Sequence, residues 1–155
     1  MTKLNQDEIT KFAPDAHNQR AFRAALGHFV TGVTLISTMT EQGPVGFVAN
    51  SFSSLSLEPA LVLWSLARSS RRFGVFATAQ TFAIHILAQH QLGVISHFTG
   101  GGGGFSGLDY RVTNGGLPVL NGSTALFECD LHATHDGGDH MIIIGQVGQV
   151  VTSQK

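Results

Sequence analysis

The sequence is poor in charge, in cysteine and in long apolar runs, and each shortage excludes a class of protein. Charged residues make up 12 % of the chain, about half the usual share of roughly 25 %. The net charge of −1 offers no basic surface to nucleic acid. A single cysteine, Cys129, excludes an intrachain disulfide and favours a reducing compartment. No apolar run approaches the roughly 18 residues that span a bilayer, so we expect no membrane partner.

The N-terminal segment is polar and lacks the apolar stretch of a secretory signal. We therefore expect a cytoplasmic protein with a flexible arm over residues 1–16 and a single domain over residues 17–155. The length suits one hydrophobic core. Because so little charge is available to cover the surface, we also expect part of it to be buried against another subunit.

Hydrophobic periodicity predicts a mainly β protein. Phe22, Leu26 and Phe29 share one face of a helix predicted over residues 17–29. Alternating or continuous apolar segments farther along predict about six strands and two more short helices, the first capped by serine. Residues 47–59 are predicted to form a strand that runs into a serine-rich loop, and a tight turn at residues 136–138 joins the last two strands. Strict strand–helix alternation is absent, which favours an antiparallel barrel with flanking helices over a parallel sheet.

Hydroxyl side chains follow two of the predicted strands and form the main candidate for a binding site. Hydroxyls, backbone N–H groups and arginine all bind phosphate oxygens. If the two clusters meet in one pocket, they favour an anionic ligand; the alternative is ordinary turn and cap serine. The clusters comprise Asn50, Ser51, Ser53, Ser54 and Ser56 after one strand, and Ser65, Ser69, Ser70, Arg71 and Arg72 around the end of the next.

Five consecutive glycines, Gly100 to Gly104, are a weak sign of nucleotide binding. A P-loop needs a lysine and a hydroxyl residue after its glycines, whereas Phe105 follows here. We expect a loose surface loop that acts as a lid or has no role.

Histidines and one acid crowd the end of the predicted last hairpin. His132, His135, Asp139 and His140 lie within nine residues, but their spacing matches no established metal-ligand pattern. We therefore predict no metal site, and a solvated hairpin edge for His132 and His135. Cys129, between alternating neighbours, is predicted to be a small buried apolar side chain.

Four segments taken together resemble the flavin reductase-like family. They are residues 22–38, 46–70, 81–91 and 138–147, and they contain the motifs TGVT, ANSFSS and GDH in that order. Members of this family are NAD(P)H:flavin oxidoreductases that supply reduced flavin to two-component monooxygenases. The resemblance implies an FMN-binding split barrel, a homodimer, and hydride transfer from the nicotinamide of NADH or NADPH to FMN or FAD.

The resemblance also assigns residues to the two ligands. It implies that the flavin is bound by the residues of the TGVT and ANSFSS motifs and by nearby hydroxyls. Those residues are Thr31, Gly32, Val33, Ala49, Asn50, Ser51, Phe52, Ser53, Ser54, Ser56, Ser65, Ser69 and Ser70. Gly138, Asp139 and His140 are implied on the nicotinamide side, with His140 as the catalytic residue in the sense of holding the dinucleotide against the flavin.

The resemblance leaves three points open. FMN is not distinguished from FAD, nor NADH from NADPH. A protein of the same fold that keeps its flavin, or a binding module without turnover, remains an alternative to the reductase. Similar proteins usually continue into one more strand beyond the position of Lys155, which leaves contacts late in the chain undefined.

Overall fold

The computed structural model describes residues 11–26, 32–99 and 103–153. The chain divides into two compact units, residues 1–30 and residues 31–155. In the first unit, Asp15 Oδ1 accepts hydrogen bonds from the backbone N–H groups of His17 and Asn18, and α1 follows at Gln19–Leu26. Most of the predicted N-terminal arm, and Phe29 of the predicted helix face, lie outside the described residues. Within the described parts of the chain, no helix is both long and apolar enough to cross a membrane.

The second unit is mainly β-structure. Its strands are β1 (Thr34–Thr40), β2 (Gly43–Ala49), β3 (Ser53–Leu57), β4 (Ala60–Ala67), β5 (Thr81–Ile86), β6 (Tyr110–Val112), β7 (Pro118–Leu120), β8 (Ala125–Gly137) and β9 (His140–Thr152). Two short helices, α2 (Phe73–Thr78) and α3 (Val94–Thr99), and a 3₁₀ turn at Gln89–Gln91 lie between them.

Seven strands form one antiparallel sheet in the order β2-β1-β5-β8-β9-β4-β3, and β6 pairs with β7 separately. The ends of the large sheet curl towards each other. Phe47 of β2 has its ring centroid 5.9 Å from that of Trp64 of β4, and Ser51, just after β2, hydrogen-bonds the backbone of Ser65 in β4. This arrangement is the predicted split barrel with flanking short helices.

The barrel interior is filled by large side chains that alternate along the strands. Trp64 and Leu66 of β4 and Ile143 of β9 are buried, while their sequence neighbours on β4 are half-buried. Strand β1 differs, because Ile36 faces the interior cluster whereas Leu35 packs with residues of α3 and the following loop. A strand covered on both faces gives a continuous apolar run, so periodicity alone could not assign its faces.

The strand count from sequence, about six, was too low. The serine-rich part of residues 47–59 was predicted to be a loop, but Ser53–Leu57 form β3, which pairs with β4 from Ser53 opposite Leu63. Their alternating hydroxyls carry no apolar signal, and the partner strand supplies the reason for extension. Strands β6 and β7 were not predicted because, at three residues each, they are too short to show a period of two. The predicted last turn also shifts, because Gly137 is still paired with His140.

Candidate functional site

Two of the predicted flavin-binding segments lie side by side at one end of the barrel. Gly32 and Val33 lead into β1, and Ala49 ends β2. The register pairs Thr34 with Ala49, and the Thr34 hydroxyl donates a 2.7 Å hydrogen bond to the Ala49 carbonyl. The two segments are therefore fixed relative to each other. Thr31, the first residue of the predicted set, lies outside the described residues.

Ser51 connects this end of the barrel to β4. Its Oγ accepts a 2.8 Å hydrogen bond from the Ser65 N–H, and its hydroxyl donates to the Ser65 carbonyl at 3.3 Å. The Ser51 hydroxyl thereby satisfies the backbone N–H and carbonyl of Ser65, as the backbone of a neighbouring strand would. The hydroxyl predicted to bind ligand thus has a structural role, and it brings Asn50, which is exposed, close to β4.

Phe52 faces the protein. Its ring stacks with that of Phe127 at a centroid distance of 5.9 Å and an interplanar angle of 21°, and it packs against the main core cluster. Its contribution at this site is to anchor the start of β3.

The hydroxyls of β3 divide between two faces. Successive side chains of a strand point to opposite sides, so Ser53 and Ser54 cannot both reach one ligand. A register shift between Ser54 and Ser56 interrupts this alternation, and Ser53 Oγ donates to the Ser54 carbonyl at 2.9 Å. The structure therefore does not bring all the predicted serines together.

Ser69 and Ser70 lie in the turn between β4 and α2. Ser70 Oγ accepts a 3.1 Å hydrogen bond from the Arg72 N–H, and the Ser70 carbonyl accepts one from Phe73 N–H. The helix itself begins at Phe73, and the residue before it, Arg72, makes no side-chain cap. The predicted serine cap was therefore placed too early, since Ser70 stabilises the turn that precedes the helix.

The segment predicted to lie on the nicotinamide side is the tight turn of the β8–β9 hairpin. Gly138 has φ +78°, a conformation open mainly to glycine. His140 Nδ1 lies 2.8 Å from Asp139 Oδ1; because the carboxylate only accepts, Nδ1 donates this hydrogen bond, and in the neutral imidazole Nε2 is then the acceptor nitrogen. Both side chains reach solvent, with His140 44 % and Asp139 95 % exposed.

The register between β4 and β9 joins the two halves of the candidate site. Ala67 pairs with His140 and Ser65 pairs with Ile142, so these four side chains project from the same outward face. His140 therefore lies two residues along β9 from Ile142, the partner of Ser65. Ser65 is in turn hydrogen-bonded to Ser51, the residue after Asn50. The structure brings together residues that are about ninety positions apart in the sequence.

Sequence reasoning missed Arg68. Its side chain bonds the carbonyl of Gly138 at 2.9 Å and the carboxylate of Asp136 at 2.6 Å, and its backbone N–H bonds the Asp139 carbonyl at 2.9 Å. The hydrogen bond from Arg68, with a backbone hydrogen bond from Gly138, holds the pKa of the Asp136 carboxyl below its usual range. Nothing in the local pattern marks this arginine, because its partners lie about seventy positions away.

The glycine run is anchored at its C-terminal end. Gly46 N–H donates a 2.8 Å hydrogen bond to the Gly103 carbonyl, and His97 Nε2 donates one of 2.8 Å to the Gly104 carbonyl. The Arg72 guanidinium lies where a Cβ on residue 103 would stand. At these two glycines the predicted loose loop is therefore docked; residues 100–102 lie outside the described part.

The remaining candidates show no ligand chemistry. His132 and His135 are exposed. Among residues 11–26, 32–99 and 103–153, no group of three or more histidine, cysteine or acidic side chains could hold a metal ion. Cys129 is buried, and burial, followed by the charges of Asp130 and Glu128, raises the pKa of its thiol to about 12.

A separate groove lies at the far end of the β8–β9 hairpin. It has a volume of about 670 Å³ and contains none of the predicted site residues. Its lining consists of Ala88, Gln89, His90, Gly122, Thr124 and Ser153.

The chain matches one family model over most of its length. The model describes a flavin reductase like domain, and residues 26–155 match it. A relative from Agrobacterium fabrum, FMN reductase (NADH) SmoA, is 48 % identical over 136 residues, which are 88 % of this chain and 78 % of SmoA. The reductase subunit HsaB of a flavin-dependent monooxygenase from Rhodococcus jostii is 39 % identical, covering 89 % of this chain and 71 % of HsaB.

Solved structures agree with the fold. Nitrilotriacetate monooxygenase component B from Mycobacterium thermoresistibile superposes with a TM-score of 0.84 at 40 % identity, over 89 % of this chain and 78 % of the other. The NADH:FAD oxidoreductase SgcE6 of Streptomyces globisporus, solved with NAD and FAD fragments, gives a TM-score of 0.84 at 30 % identity. The superposition covers 92 % of this chain and 87 % of SgcE6.

Proposed function

The chain belongs to the family of flavin reductase like domains, and on that premise we propose that it transfers a hydride from NAD(P)H to FMN or FAD. Reduced flavin then diffuses to a partner monooxygenase. The names of SmoA and SgcE6 both specify NADH, which makes NADH the first donor to test. The same two names specify FMN and FAD respectively, so both flavins are candidates.

The β4–β9 register is the observation that supports this function best. In that register His140, which is predicted to lie on the nicotinamide side, projects from the same sheet face as Ser65, next to the segment predicted to bind flavin. Hydride transfer needs two planar rings held in contact. Two neighbouring segments on one sheet face could each hold one of these rings, the flavin beside Asn50 and the nicotinamide beside His140.

The described residues fit a planar ring with a polar chain. Among the described residues other than the immediate chain neighbours, no atom lies within 4 Å of where a Cβ would stand on Gly32 or Gly138, so the backbone is open to close approach at both positions. Asn50 is exposed and directly follows β2, which pairs with β1, the strand that Gly32 leads into. Its side chain would form hydrogen bonds with the polar edge of the ring. Gly32, Val33 and the exposed β3 hydroxyls would bind the remainder of the flavin, with Ser69 near its phosphate end. Ala49 is buried in the core cluster, so its part is to hold the neighbouring Asn50 in place.

The chain's own residues would orient the reactants. When bound, the flavin accepts the hydride and supplies all of the redox chemistry. The Nε2 atom of His140 would accept a hydrogen bond from the dinucleotide, and Asp139 fixes the tautomer that leaves Nε2 as the acceptor. No side chain has to gain or lose a proton in this scheme, so the role of the protein is binding and orientation.

Self-association and location complete the proposal. We propose a homodimer because charge is scarce and several large apolar side chains stay exposed on the described surface, among them Leu57 at 97 %. Sedimentation of a species of twice the chain mass would support it. A cytoplasmic location is supported by the single, free cysteine.

NADH oxidation by the purified protein tests the function. The loss of NADH absorbance is followed with FMN, with FAD and without flavin, and then with NADPH. A rate that requires added flavin and saturates with it is the expected result. Turnover without added flavin by a coloured protein would favour a flavoprotein that retains its flavin, and flavin binding without any turnover would refute the reductase.

A further inference from the structure

Arg68 joins the end of β4 to the turn that carries His140 by three hydrogen bonds. Its backbone N–H extends the β4–β9 ladder to the Asp139 carbonyl at 2.9 Å. Its Nε donates to the Gly138 carbonyl at 2.9 Å, and its terminal nitrogen donates to Asp136 Oδ1 at 2.6 Å. One residue therefore contacts Asp136, Gly138 and Asp139.

The guanidinium geometry matters more than its charge. Nε and one terminal nitrogen lie on the same planar edge, so they reach two acceptors in a fixed relative position. The two acceptors lie on either side of Gly137, where the chain enters the turn. Gly137 itself pairs with His140, so a guanidinium that fixes both neighbours of Gly137 also fixes the strand opposite His140.

Stability alone does not account for this arrangement. Arg68 is 42 % and Asp136 79 % exposed, and exposed ion pairs of this kind contribute little to the free energy of unfolding. The ring of Phe73, 5.9 Å below the guanidinium carbon, limits the rotation of the arginine and adds a modest cation–π attraction. Tight turns are often mobile, and the hydrogen bonds from Arg68 hold the turn at Gly138 in one conformation.

The turn holds the two groups on the nicotinamide side. Asp139 Oδ1 accepts a hydrogen bond from His140 Nδ1 at 2.8 Å, and the backbone of the same Asp139 is fixed by Arg68. A shift of the turn therefore moves the imidazole relative to Ser65 on the neighbouring strand. The flavin-binding segments after β2 are bonded through Ser51 and Ser65 and do not depend on Arg68.

We propose that Arg68 is a positioning residue for the nicotinamide substrate: it fixes the Gly138–Asp139–His140 turn so that His140 meets the dinucleotide in the productive orientation. This inference rests on the reductase function proposed above. The proposed role differs from that of the flavin-binding residues, because replacing Arg68 is expected to raise the KM for NADH and to leave the Kd for flavin nearly unchanged.

Steady-state kinetics of Arg68→Gln and Arg68→Lys test this role. For Arg68→Gln we expect the KM for NADH to rise roughly five- to tenfold, the equivalent of about one hydrogen bond. The kcat should change less than about twofold, because the NADH binding that is lost is equally strong in the ground state and the transition state. The Kd for flavin should also stay within about twofold, because the Ser51–Ser65 contact does not involve Arg68. Arg68→Lys should give an intermediate KM, since an ammonium group cannot span both acceptors.

Two further variants separate positioning from general damage. Asp136→Ala should raise the KM for NADH less than Arg68→Gln, and the double variant should be no worse than Arg68→Gln alone, because the two residues act through one contact. Arg111→Gln is the matched control, an exposed arginine with a single 2.6 Å side-chain bond to Asn121, and should match wild type. Thermal unfolding of each variant is measured in parallel.

The outcomes are distinct. A KM for NADH in Arg68→Gln equal to that of wild type would overturn the inference. So would equal losses in NADH and flavin binding together with a lower Tm, which would indicate a purely structural role. A wild-type protein that oxidises no NADH with either flavin would instead refute the proposed function, and the inference with it.

Discussion

His85 illustrates how one buried polar side chain can connect three strands. It is fully buried in β5, its Nδ1 donates to the Leu35 carbonyl of β1 at 2.9 Å, and its Nε2 accepts from the Leu120 N–H of β7 at 3.1 Å. Both nitrogens are satisfied only in the neutral form, because a proton on Nε2 would face the Leu120 N–H. Burial, the largest effect, lowers the pKa of His85 to about 4.

This histidine predicts a loss of stability in mild acid. The unfolded chain protonates His85 near its ordinary pKa of about 6.5, whereas the folded chain resists until about pH 4. The contribution of His85 to the free energy of unfolding should therefore be constant above about pH 6.5 and fall by about 3 kcal/mol between pH 6.5 and 4. Urea unfolding followed by the fluorescence of Trp64, the only tryptophan, measures it.

A variant pair isolates the His85 contribution. His85→Gln should be less stable at neutral pH but lose this part of the pH dependence, whereas the exposed His132→Gln should retain the wild-type slope. An unchanged slope in His85→Gln would assign the acid sensitivity to other groups.

His140 provides a second prediction at the residue scale, concerning binding. His140→Ala should raise the KM for NADH roughly fivefold or more through the loss of one hydrogen bond of about 1 kcal/mol, while the Kd for flavin stays within about twofold. His132→Ala, on the same hairpin and exposed, serves as the control. Identical NADH kinetics in His140→Ala and wild type would remove His140 from the site.

Asn50 should show the opposite selectivity. Asn50→Ala is expected to weaken flavin binding roughly fivefold, the equivalent of about one hydrogen bond, and to leave the KM for NADH nearly unchanged at saturating flavin. Titration of flavin fluorescence gives the Kd, with the exposed Asn114→Ala as control. An unaltered titration would contradict the assignment of Asn50 to the ring edge.

At the scale of elements, the β8–β9 hairpin organises the molecule. Residues 125–130 of β8 pair with β5, while residues 140–146 of β9 pair with β4, so one hairpin joins both parts of the sheet. Shifts in register at Glu128/Cys129 and Leu131/Ala133 lie where the pairing passes from one partner to the other. Such irregularities bend a strand, which lets the hairpin follow the curve of the barrel.

Two glycines of β9 predict where this hairpin tolerates side chains. A Cβ on Gly145 would lie 2.7 Å from the Phe82 ring and 3.0 Å from Cys129 Cβ, whereas the contact of a Cβ on Gly148 would be with the Glu128 carbonyl oxygen at 3.8 Å. Gly145→Ala should therefore lower the free energy of unfolding by about 1–3 kcal/mol through overpacking. Gly148→Ala should be neutral or slightly stabilising. Denaturant unfolding compares them, and equal stabilities would contradict the close packing.

At the scale of the whole molecule, ligand binding and stability are linked. A flavin that binds only the folded chain at 100 times its Kd should add about 2.7 kcal/mol to the free energy of unfolding, which corresponds to a rise in Tm of roughly 5–10 °C. Scanning calorimetry with and without FMN or FAD measures it, and Asn50→Ala at the same flavin concentration should show a smaller rise. No rise with either flavin at any concentration would contradict a specific site.

Much of the fold was accessible from the sequence because strands with one buried face leave a period of two. Strand β4 alternates clearly, and the final hairpin was predicted close to its observed turn. The serine-rich β3 and the short β6 and β7 were not predicted, because pairing with neighbours and not apolar periodicity makes them extended. For the candidate site, the sequence revealed the motifs. It did not reveal that Ser51 bonds the backbone of β4 or that Phe52 packs against Phe127.

The sequence by itself determined the class of protein, through its low charge, its strand periodicity and the motifs of a flavin reductase. The tertiary structure alone decided which residues meet: His140 beside Ala67, Ser51 against Ser65, and Arg68 across the turn at Gly138. The reason is that local patterns encode which face of an element is apolar, while strand register and the reach of a long side chain depend on partners that are far away in the chain.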